Sequence, residues 1–429
     1  MRIMRSNDDK GREYVERVET RFSEVFSPAF EDRVRNVVSA VRRRGDRALA
    51  AYVKRFDLTG LKVADFRLQG QVGAGEAVGE EFASAVEMAL ANLKAFHEPQ
   101  AAKGYTVDHN GTEMGIRVRP LESVGVYVPG GAAVYLSSLL MAVVPARLAG
   151  VSRIAVATPP RAFLSSPHLR YLLDRLDLRE VYLMGGAHAV AALAYGTESV
   201  TAVDKIVGPG GRWVAAAKRA VYGAVAVDFI AGPSELVVIA DAHAEPEIVA
   251  ADMLAQAEHD PDALVVAVTP SRPLAEKVER RLTAAVKRLP KTSPARASLR
   301  RWGAILLVPD LGAAVDVTNR IAPEHVELLV QEPHRWVDGI ERAGAIYLGS
   351  WSPAVLGDYV AGSNHVLPTA GAARFASPLG VWDFVNRSAV VRVAAHRYRD
   401  LARAAKTLAE VEGLPLHGEA LAAGSRGKM

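Results

Sequence analysis

The sequence contains no cysteine among its 429 residues. This absence excludes disulfide bonds, metal sites built from thiolates and any reaction that passes through a covalent thioester. Long apolar runs are also lacking: the richest, LSSLLMAVV at residues 136–144, is far shorter than the roughly 20 residues that cross a bilayer. The first residues, MRIMRSNDDKGREYVER, have no apolar stretch typical of a secretion signal. We therefore expect a cytoplasmic protein without a membrane partner.

A large excess of charge of one sign is lacking as well. Lys and Arg number 52 and Asp and Glu 48, and the basic residues are dispersed along the chain. The densest basic run, RRRGDR at residues 42–47, is more simply explained as the solvated face of a helix or loop. We therefore expect no nucleic-acid partner. With 50% hydrophobic and 23% charged residues, the composition is that of a globular protein, and its length favours two large domains.

Short apolar segments alternate with helical patterns after residue 114, which predicts parallel α/β layers. The first series has predicted strands at residues 125–128, 154–158, 181–184, 205–207 and 225–229, with helices between them. The second has predicted strands at residues 235–240, 263–269, 304–308, 326–330 and 345–348. Each series predicts one doubly wound unit. Ahead of them, helical spacing predicts a hairpin of two helices at residues 31–45 and 48–56 and a long helix at 80–96.

Glycine turns follow three predicted strands of the first series, at residues 129–131, 185–186 and 208–211. Each is followed by a predicted helix, so main-chain N–H groups can face a phosphate there. A single such turn is as well explained by a tight connection, but three in one sheet favour a nucleotide site. The G-x-G-x-x-G pattern itself does not occur with the right spacing.

The segment ADMLAQAEHD at residues 251–260 ends a helix that is predicted to begin near Pro246. Gln256 and His259 are three residues apart, and Asp252 lies four residues before Gln256, so the three side chains share one side of the helix. An amide and an imidazole at a helix end can bind a cation or a polar substrate. A polar stripe of this kind is more often the solvated face of a helix.

Three further clusters carry groups suited to chemistry. Glu324 and His325 are adjacent before a predicted strand, and both residue types can be tuned towards neutral pKa values as acid–base groups. Ser234 lies in a turn between two strands. A polar segment contains Asp358 and His365, while Glu412 and His417 flank a Leu-Pro turn near the C-terminus. Imidazole and oxygen ligands without sulfur suit zinc, and the spacing leaves open whether these groups converge.

The chain resembles the histidinol dehydrogenases over nearly its whole length. The resemblance is carried by segments that follow one another in the order of the family: VGVYVPGG at 124–131, VDKIVGPG at 203–210, AGPSE at 231–235, AQAEHD at 255–260, APEHVEL at 322–328, GDYVAGSNHVLPT at 357–369 and, more weakly, EGLPLHGEA at 412–420. Several long motifs in order are far more specific than any of the single patterns above.

The resemblance implies an oxidoreductase that converts L-histidinol to L-histidine through L-histidinal with two NAD, as the last step of histidine biosynthesis. It implies one Zn2+ per subunit, and the matching ligand positions are Gln256, His259, Asp358 and His417. Glu324 would activate the water that hydrates the aldehyde, and His325 would be the general base. These six residues would contact the substrate together with Ser234, His365 and Glu412. A water route agrees with the absence of cysteine.

The resemblance also implies an α/β fold with two incomplete Rossmann-like doubly wound units, as in aldehyde dehydrogenases, and small N- and C-terminal appendages. We divide the chain into an N-terminal arm (1–24), a first α/β domain with the zinc and catalytic residues (25–123 and 235–380), a second on the cofactor side (124–234) and a C-terminal dimerisation segment (381–429). We expect a homodimer in which this last segment completes the site of the partner.

Two positions depart from the family pattern. His188 stands where the family usually has Gln in its GGAQA element, and Gly211 stands where Asn usually follows GPG. The expected cofactor contacts are therefore Tyr127, His188 and Gly211, and the preference between NAD and NADP stays open. The departures favour, as an alternative, a zinc-dependent dehydrogenase of a different small amino alcohol or polyol. A catalytically silent relative is a third hypothesis, against which the retained Glu324 and His325 argue.

Overall fold

The computed structural model describes residues 2–22, 26–57, 62, 65–68, 78–130 and 134–426. Strands within these ranges form three sheets. The strands are β1 Arg2–Arg5, β2 Tyr105–His109, β3 Thr112–Pro120, β4 Ser123–Tyr127, β5 Arg153–Thr158, β6 Glu180–Leu183, β7 Lys205–Val207, β8 Ala226–Val227, β9 Glu235–Ala240, β10 Leu264–Thr269, β11 Ala304–Leu307, β12 His325–Leu329, β13 Ala345–Leu348 and β14 Val385–Val393.

Helices cover the sheets and connect the parallel strands. They are α1 Asp9–Glu19, α2 Pro28–Tyr52, α3 Glu80–His97, α4 Leu136–Ala149, α5 Pro160–Ser165, α6 Pro167–Arg175, α7 Gly186–Tyr195, α8 Arg212–Val221, α9 Pro246–Ala257, α10 Arg272–Arg288, α11 Pro294–Arg301, α12 Leu311–Ile321, α13 His334–Val337, α14 Ala354–Tyr359, α15 Ala395–Val411 and α16 Pro415–Arg426. Within the described ranges, none of them is both long and apolar enough to span a membrane.

The first parallel sheet has the strand order β6-β5-β4-β7-β8. Its central strand β4 is buried along its whole length, as expected for a strand with helices on both faces. One face packs on α2, α7 and α8, and the other on α3, α4 and α6. The two hydrophobic cores so formed make this sheet a doubly wound unit.

The second parallel sheet has the strand order β1-β11-β10-β9-β12-β13. Helices α9, α10 and α11 pack on one face, while α1 and α12 pack on the other. Strands β9, β10 and β12 consist entirely of buried residues, which explains the apolar sequences of β10 and of β9 after Glu235; β12, HVELL, also buries His325 and Glu327. The predicted α/β fold class with two doubly wound parallel units is confirmed.

The N-terminal residues and the helices before residue 100 extend these units. β1 lies at the edge of the second sheet, parallel to β11, and α1 contacts α12. Helix α2 consists of two helical segments that meet at Gly45, where φ 49° and ψ −134° leave helical geometry, so the predicted break between two helices at this residue is confirmed. Helix α2 contacts α7 and α8, and α3 contacts α4. These contacts favour grouping α2 and α3 with residues 124–234, whereas the sequence division placed them with residues 235–380. The division itself stays a prediction.

The antiparallel third sheet, in the order β14-β3-β2, has no counterpart in the two predicted series of strands. Its strands are largely exposed, and the C-terminal helices α15 and α16 pack against each other. Apolar side chains on these helices and in the turn between them face solvent in the single chain, among them Leu408, Val411, Leu414 and Leu416. This segment therefore has apolar surface that the described chain leaves uncovered.

Candidate active site

A cavity of about 1160 Å³ lies between the two parallel sheets. One wall is formed by residues that follow the carboxyl ends of β4, β5, β6 and β7, and the opposite wall by residues that precede β9 and β12. Ligands of open α/β sheets bind outside the carboxyl ends of the strands, so the first wall suits a cofactor. We call this space the central cavity.

Most residues expected from the sequence meet in the central cavity. It is lined by Tyr127, Gly211, Ser234, His259, Glu324, His325, Asp358 and His365. The remaining residues of the expected set lie elsewhere in the chain: Gln256 and His188 are buried and do not line the cavity, and Glu412 and His417 are exposed on the C-terminal segment. The folded chain thus joins segments that are more than 200 residues apart in sequence.

Glu324 and His325 form the buried acid–base pair of the cavity. Glu324 directly precedes β12 and His325 is its first residue, beside the neighbouring strand β9. Both side chains hydrogen-bond to the main chain of Glu235. The Glu235 N–H donates to Glu324 Oε2 at 2.8 Å, and His325 Nδ1 donates to the Glu235 carbonyl at 2.9 Å. A carbonyl oxygen only accepts, so Nδ1 carries a proton and Nε2 is the nitrogen that can exchange one. Within the described chain, His325 Nε2 is buried without a hydrogen-bond partner.

The environment moves both pKa values upward. Burial raises the pKa of Glu324 to about 8, although His325 and the Glu235 N–H act in the opposite direction. Burial alone would lower the pKa of His325, but the negative charges of Glu324 and Asp358 outweigh it and raise the pKa to about 9. The Nε2 of His325 lies 3.6 Å from Asp358 Oδ1, too far for a hydrogen bond, so their attraction is electrostatic. A carboxyl group with a pKa near 8 can accept a proton under mildly alkaline conditions.

Asp358 and His365 form the neighbouring part of the wall. Asp358 lies in the short helix α14. Burial would raise its pKa, but the imidazoles of His325, His365 and His259 hold this pKa below its usual value. Burial lowers the pKa of His365. Its Nδ1 donates to the Asp358 carbonyl at 2.8 Å, and its Nε2 accepts from Ser138 at 3.0 Å. His365 thereby fixes the end of the helix that carries Asp358.

The expected metal ligands are only partly assembled in one chain. His259 follows the end of α9 and is exposed towards the cavity that Asp358 also lines, while Gln256 is buried on the last turn of the helix. Across the residues that the structure describes, no three His, Asp, Glu or Cys side chains could hold one metal ion. His259 and an ionised Asp358 nevertheless fit Zn2+, and the buried Gln256, whose Nε2 lacks a hydrogen-bond partner within the described ranges, could bind it only through Oε1. A four-ligand zinc site would need its fourth ligand from outside these three residues.

The glycine turns shape the cofactor wall. Gly208 has φ 108°, and a Cβ built on it would lie 2.3 Å from the Tyr127 carbonyl, so only glycine permits this close approach. The Tyr127 hydroxyl accepts a hydrogen bond of 3.0 Å from the Gly186 N–H, which orients the phenol at the start of α7. A Cβ on Gly211 would meet no atom within 4 Å, so this residue leaves open space beside the wall.

His188 is held away from the cavity by three neighbours. Its Nε2 lies 3.1 Å from Asp57 Oδ2, and its ring stacks near Tyr52 and Phe56. His188 is 2% exposed, whereas Asp57 and Phe56 line the cavity. Asp57 and Phe56 therefore lie between the predicted cofactor residue His188 and the cavity that a ligand can enter.

Three residues of the site were absent from our sequence predictions. Glu235 lies within the AGPSE motif, where Ser234 drew attention, and its contacts with the acid–base pair are made by main-chain atoms that no side-chain pattern reveals. Arg21 and Asp57 lie outside the motifs that carry the resemblance. Asp57 follows a predicted helix and Arg21 lies in the predicted N-terminal arm, and charged residues at such places usually face solvent, so nothing in the sequence distinguishes these two.

Two doubly wound units around a cavity with a buried carboxylate–imidazole pair define an enzyme of the α/β class. The family model of histidinol dehydrogenase matches residues 21–424. Histidinol dehydrogenase of Bacillus cereus is 45% identical over 400 residues, covering 92% of this chain and 93% of its own, and that of Rhizobium meliloti is 45% identical over 395 residues, covering 91% and 90%.

A solved structure of histidinol dehydrogenase from Elizabethkingia anophelis agrees in fold, with a TM-score of 0.86, 32% identity and coverage of 93% of this chain and 92% of that one. The chain belongs to the histidinol dehydrogenase family, which is a family of oxidoreductases.

Proposed function

We propose that the protein oxidises L-histidinol to L-histidine through L-histidinal, as the last step of histidine biosynthesis. Membership of the family supports the substrate and the reaction. The observation that carries the proposal is the buried Glu324–His325 pair in the wall of the central cavity, held on both sides by the main chain of Glu235. A chain without cysteine needs water as the nucleophile for the aldehyde, and this pair supplies the acid–base groups.

The two oxidations use the pair in sequence. In the first, the deprotonated form of His325, which its pKa of about 9 makes available at alkaline pH, would accept the hydroxyl proton of the alcohol at Nε2 while a hydride leaves the carbon for the first NAD. In the second, Glu324 takes a proton from water as the water oxygen attacks the aldehyde carbon, and the hydrate then gives a hydride to the second NAD. The water oxygen becomes the second oxygen of the carboxylate, so four electrons leave the substrate in two pairs.

One Zn2+ per subunit would be held by Gln256, His259, Asp358 and a His417. When bound, zinc would act as a Lewis acid and orient the polar end of the substrate. His259 and Asp358 are available for this in the cavity, and the three imidazoles that keep the pKa of Asp358 low leave its carboxylate ionised for a cation. Ser234 and His365, which line the same wall, would contact the substrate.

NAD would lie on the wall built by the glycine turns, beside Tyr127 and Gly211. We propose that His188 contributes through Asp57, whose Oδ2 it contacts at 3.1 Å. A carboxylate in the cavity can accept hydrogen bonds from the two hydroxyls of a ribose and repels a phosphate on the same sugar. Asp57 therefore favours NAD over NADP.

The working unit would be a homodimer in which the C-terminal segment of one subunit completes the site of the other. Glu412 and His417 are exposed and lie away from the cavity of their own chain, and α15 and α16 expose apolar side chains. Both observations are expected if a second subunit covers this segment. The cytoplasmic location expected from the sequence stays a prediction.

A dehydrogenase of another small amino alcohol or polyol is the second candidate function. The observation that favours it is the open space beside Gly211, together with the withdrawal of His188 from the cavity. Both features change the cofactor wall, whereas the Glu324–His325 wall keeps its expected residues.

A substrate panel distinguishes the two candidates. Zinc-reconstituted protein is incubated with NAD and either L-histidinol, other amino alcohols or simple diols, and NADH is followed by its absorbance. Efficient turnover of L-histidinol with the other alcohols inert supports the proposed function. Turnover of another alcohol with L-histidinol inert supports the second candidate and refutes the first.

Mixed dimers test the shared site. A Glu324→Gln subunit and a His417→Ala subunit are each expected to form inactive homodimers. If a site combines Glu324 of one chain with His417 of the other, mixing and re-equilibrating the two variants restores one intact site per mixed dimer. Activity that stays at the level of the separate variants, with exchange of subunits demonstrated, contradicts the proposal.

A further inference from the structure

Arg21 is a buried arginine that lies behind the wall of the central cavity and does not line it. It follows helix α1, and 6% of its surface is exposed. Its Nε and Nη2 donate to Glu235 Oε1 and Oε2 at 2.5 and 2.7 Å, a bidentate salt bridge. Its Nη1 donates to the carbonyls of Val18 at 2.6 Å and Ile321 at 3.0 Å. Arg21 thus joins the N-terminal segment to β9 and to the end of α12.

Glu235 connects this salt bridge to the acid–base pair. Its side chain is 2% exposed and also accepts a hydrogen bond of 3.0 Å from the Ala370 N–H. Its N–H and carbonyl are the partners of Glu324 and His325. A shift of the Glu235 main chain would therefore lengthen both contacts at once and release the Nδ1–H tautomer of His325.

Ile321 provides a second path to the same pair. It ends α12, and Ala322 directly after it has a left-handed conformation with φ 47°. The chain continues through Pro323 to Glu324 and His325, so the hydrogen bond from Arg21 to the Ile321 carbonyl holds the turn in which this segment begins. One guanidinium thus fixes both strands that carry the pair and its main-chain partner.

We propose that Arg21 is a positioning residue for Glu324 and His325, acting through its salt bridge with Glu235. This inference rests on the proposed function. Arg21 does not line the central cavity, so it has no route to the substrate; it borders a separate space of about 50 Å³ together with Glu235. The planar guanidinium matches a carboxylate with two parallel hydrogen bonds, a geometry that the single ammonium of lysine does not reproduce.

The test compares Arg21→Lys and Arg21→Gln with a matched control at Arg320. Arg320 forms a bidentate salt bridge with Glu19, at 2.8 and 3.0 Å, between the same two helices that Arg21 ties together, but this pair is partly exposed and does not reach Glu235. Arg320→Gln therefore removes a similar link between α1 and α12 without touching the acid–base pair.

We expect both Arg21 variants to lower kcat for L-histidinol by about tenfold or more, because small misplacements of catalytic groups cost this much. The KM for L-histidinol should stay within about threefold, since a loss confined to kcat marks groups that act in the transition state. Arg320→Gln should keep both constants at the wild-type level. Because breaking a buried ion pair can unfold a protein, the double variant Arg21→Gln, Glu235→Gln removes both charges and should regain thermal stability but not kcat.

A spectroscopic readout separates this inference from the proposed function. In protein labelled with 15N-histidine, the Nδ1–H of His325 should give a downfield proton resonance that shifts or disappears in Arg21→Gln and persists in Arg320→Gln. This signal needs no substrate, so it tests the positioning even if the wild type fails to oxidise L-histidinol. An unchanged resonance, or a kcat that recovers with stability in the double variant, overturns the role of Arg21.

Discussion

The imidazole of His325 donates from Nδ1 to the main-chain carbonyl of Glu235 at 2.9 Å. This single hydrogen bond decides which nitrogen of the ring does chemistry, because the other, Nε2, is left without a protein partner in the part of the chain that the structure describes. The same residue, Glu235, donates its N–H to Glu324. The acid–base pair is therefore oriented by the backbone of one strand.

Glu324→Gln should slow the oxidation of L-histidinal more than the oxidation of L-histidinol. The amide keeps the size of the side chain but cannot take a proton from water, and general base catalysis contributes about 10²- to 10⁴-fold. Rapid-mixing measurements of NADH formation from each substrate separate the two steps. Equal losses in both half-reactions would argue that Glu324 does not act on the water.

The rate of the second oxidation should rise with pH. The pKa of Glu324 is raised to about 8, so below this pH the carboxyl group is protonated and cannot act as a base. Raising the pH through about 8 deprotonates it and increases the active fraction. Single-turnover rates with L-histidinal between pH 6 and 9, on wild type and Glu324→Gln, check this. A rising limb that persists unchanged in the variant assigns the ionisation to another group.

His259→Ala should remove zinc and activity together, whereas Glu258→Ala should keep both. The two neighbours are both exposed, but only His259 lines the central cavity. Loss of one ligand from a four-ligand site weakens zinc binding strongly, because the remaining ligands cannot complete the tetrahedron. Zinc content by elemental analysis after dialysis, beside the NADH assay, gives the answer. Full zinc retention in His259→Ala would count against this ligand.

Asp57→Asn should weaken NAD binding by about tenfold, because a hydrogen bond to a charged group is lost. It should also reduce the preference for NAD over NADP, since the negative charge that repels the ribose phosphate is gone. His188→Gln is the matched control, since an amide at this position can still donate to Asp57. The binding of NADH and NADPH by fluorescence titration, without substrate, measures both effects. Unchanged preference in Asp57→Asn would place the ribose elsewhere.

A second pair of carboxyl groups, the buried Glu327 and the partly buried Asp252, lies near the site. Glu327 accepts a hydrogen bond of 2.7 Å from the Ala354 N–H at the start of α14, and Asp252 lies one helical turn before Gln256 on α9. Burial, with the charge of Asp252, raises the pKa of Glu327 to about 8. Burial also raises the pKa of Asp252. The pair therefore holds a proton at neutral pH.

Glu327→Gln should make stability less dependent on pH. Between pH about 4.3 and about 8, Glu327 of the folded wild type keeps a proton that the same carboxyl group has lost in the unfolded chain, where its pKa is about 4.3. The free energy of unfolding therefore falls as the pH rises through this range. Glutamine removes this ionisation and can donate to Asp252. As the pH rises from 5 to 9, the unfolding temperature of the variant should therefore increase relative to that of wild type by about 2–4 °C. A constant difference between the two across this range would contradict the shared proton.

Much of the fold could be read from the sequence because parallel strands buried on both faces are continuous apolar runs. β9 and β13 begin and end at the predicted residues, and α9 begins at Pro246 as predicted. β1, with the sequence RIMR, has no such run, and its place beside β11 is set by a pairing across about 300 residues. The strands of the exposed antiparallel sheet likewise lack a buried face that would give them an alternating pattern.

The site was predictable where side chains carry it. Glu324, His325, His259 and Asp358 belong to motifs, and the fold brings all four to one cavity. The contributions of Glu235 and Arg21 rest on main-chain hydrogen bonds and on a salt bridge between residues 214 positions apart, which no local pattern encodes. The position of His188 likewise depends on Asp57, which is 131 residues away in sequence.

The central claim is that one active site carries out both oxidations. The most direct measurement is the amount of NADH formed when a limiting quantity of L-histidinol is consumed completely by the zinc-reconstituted protein, with the product identified by chromatography. The account predicts two NADH for each L-histidinol and L-histidine as the product, without accumulation of free L-histidinal. One NADH for each L-histidinol with L-histidinal as the final product, or no NADH at all, would contradict it.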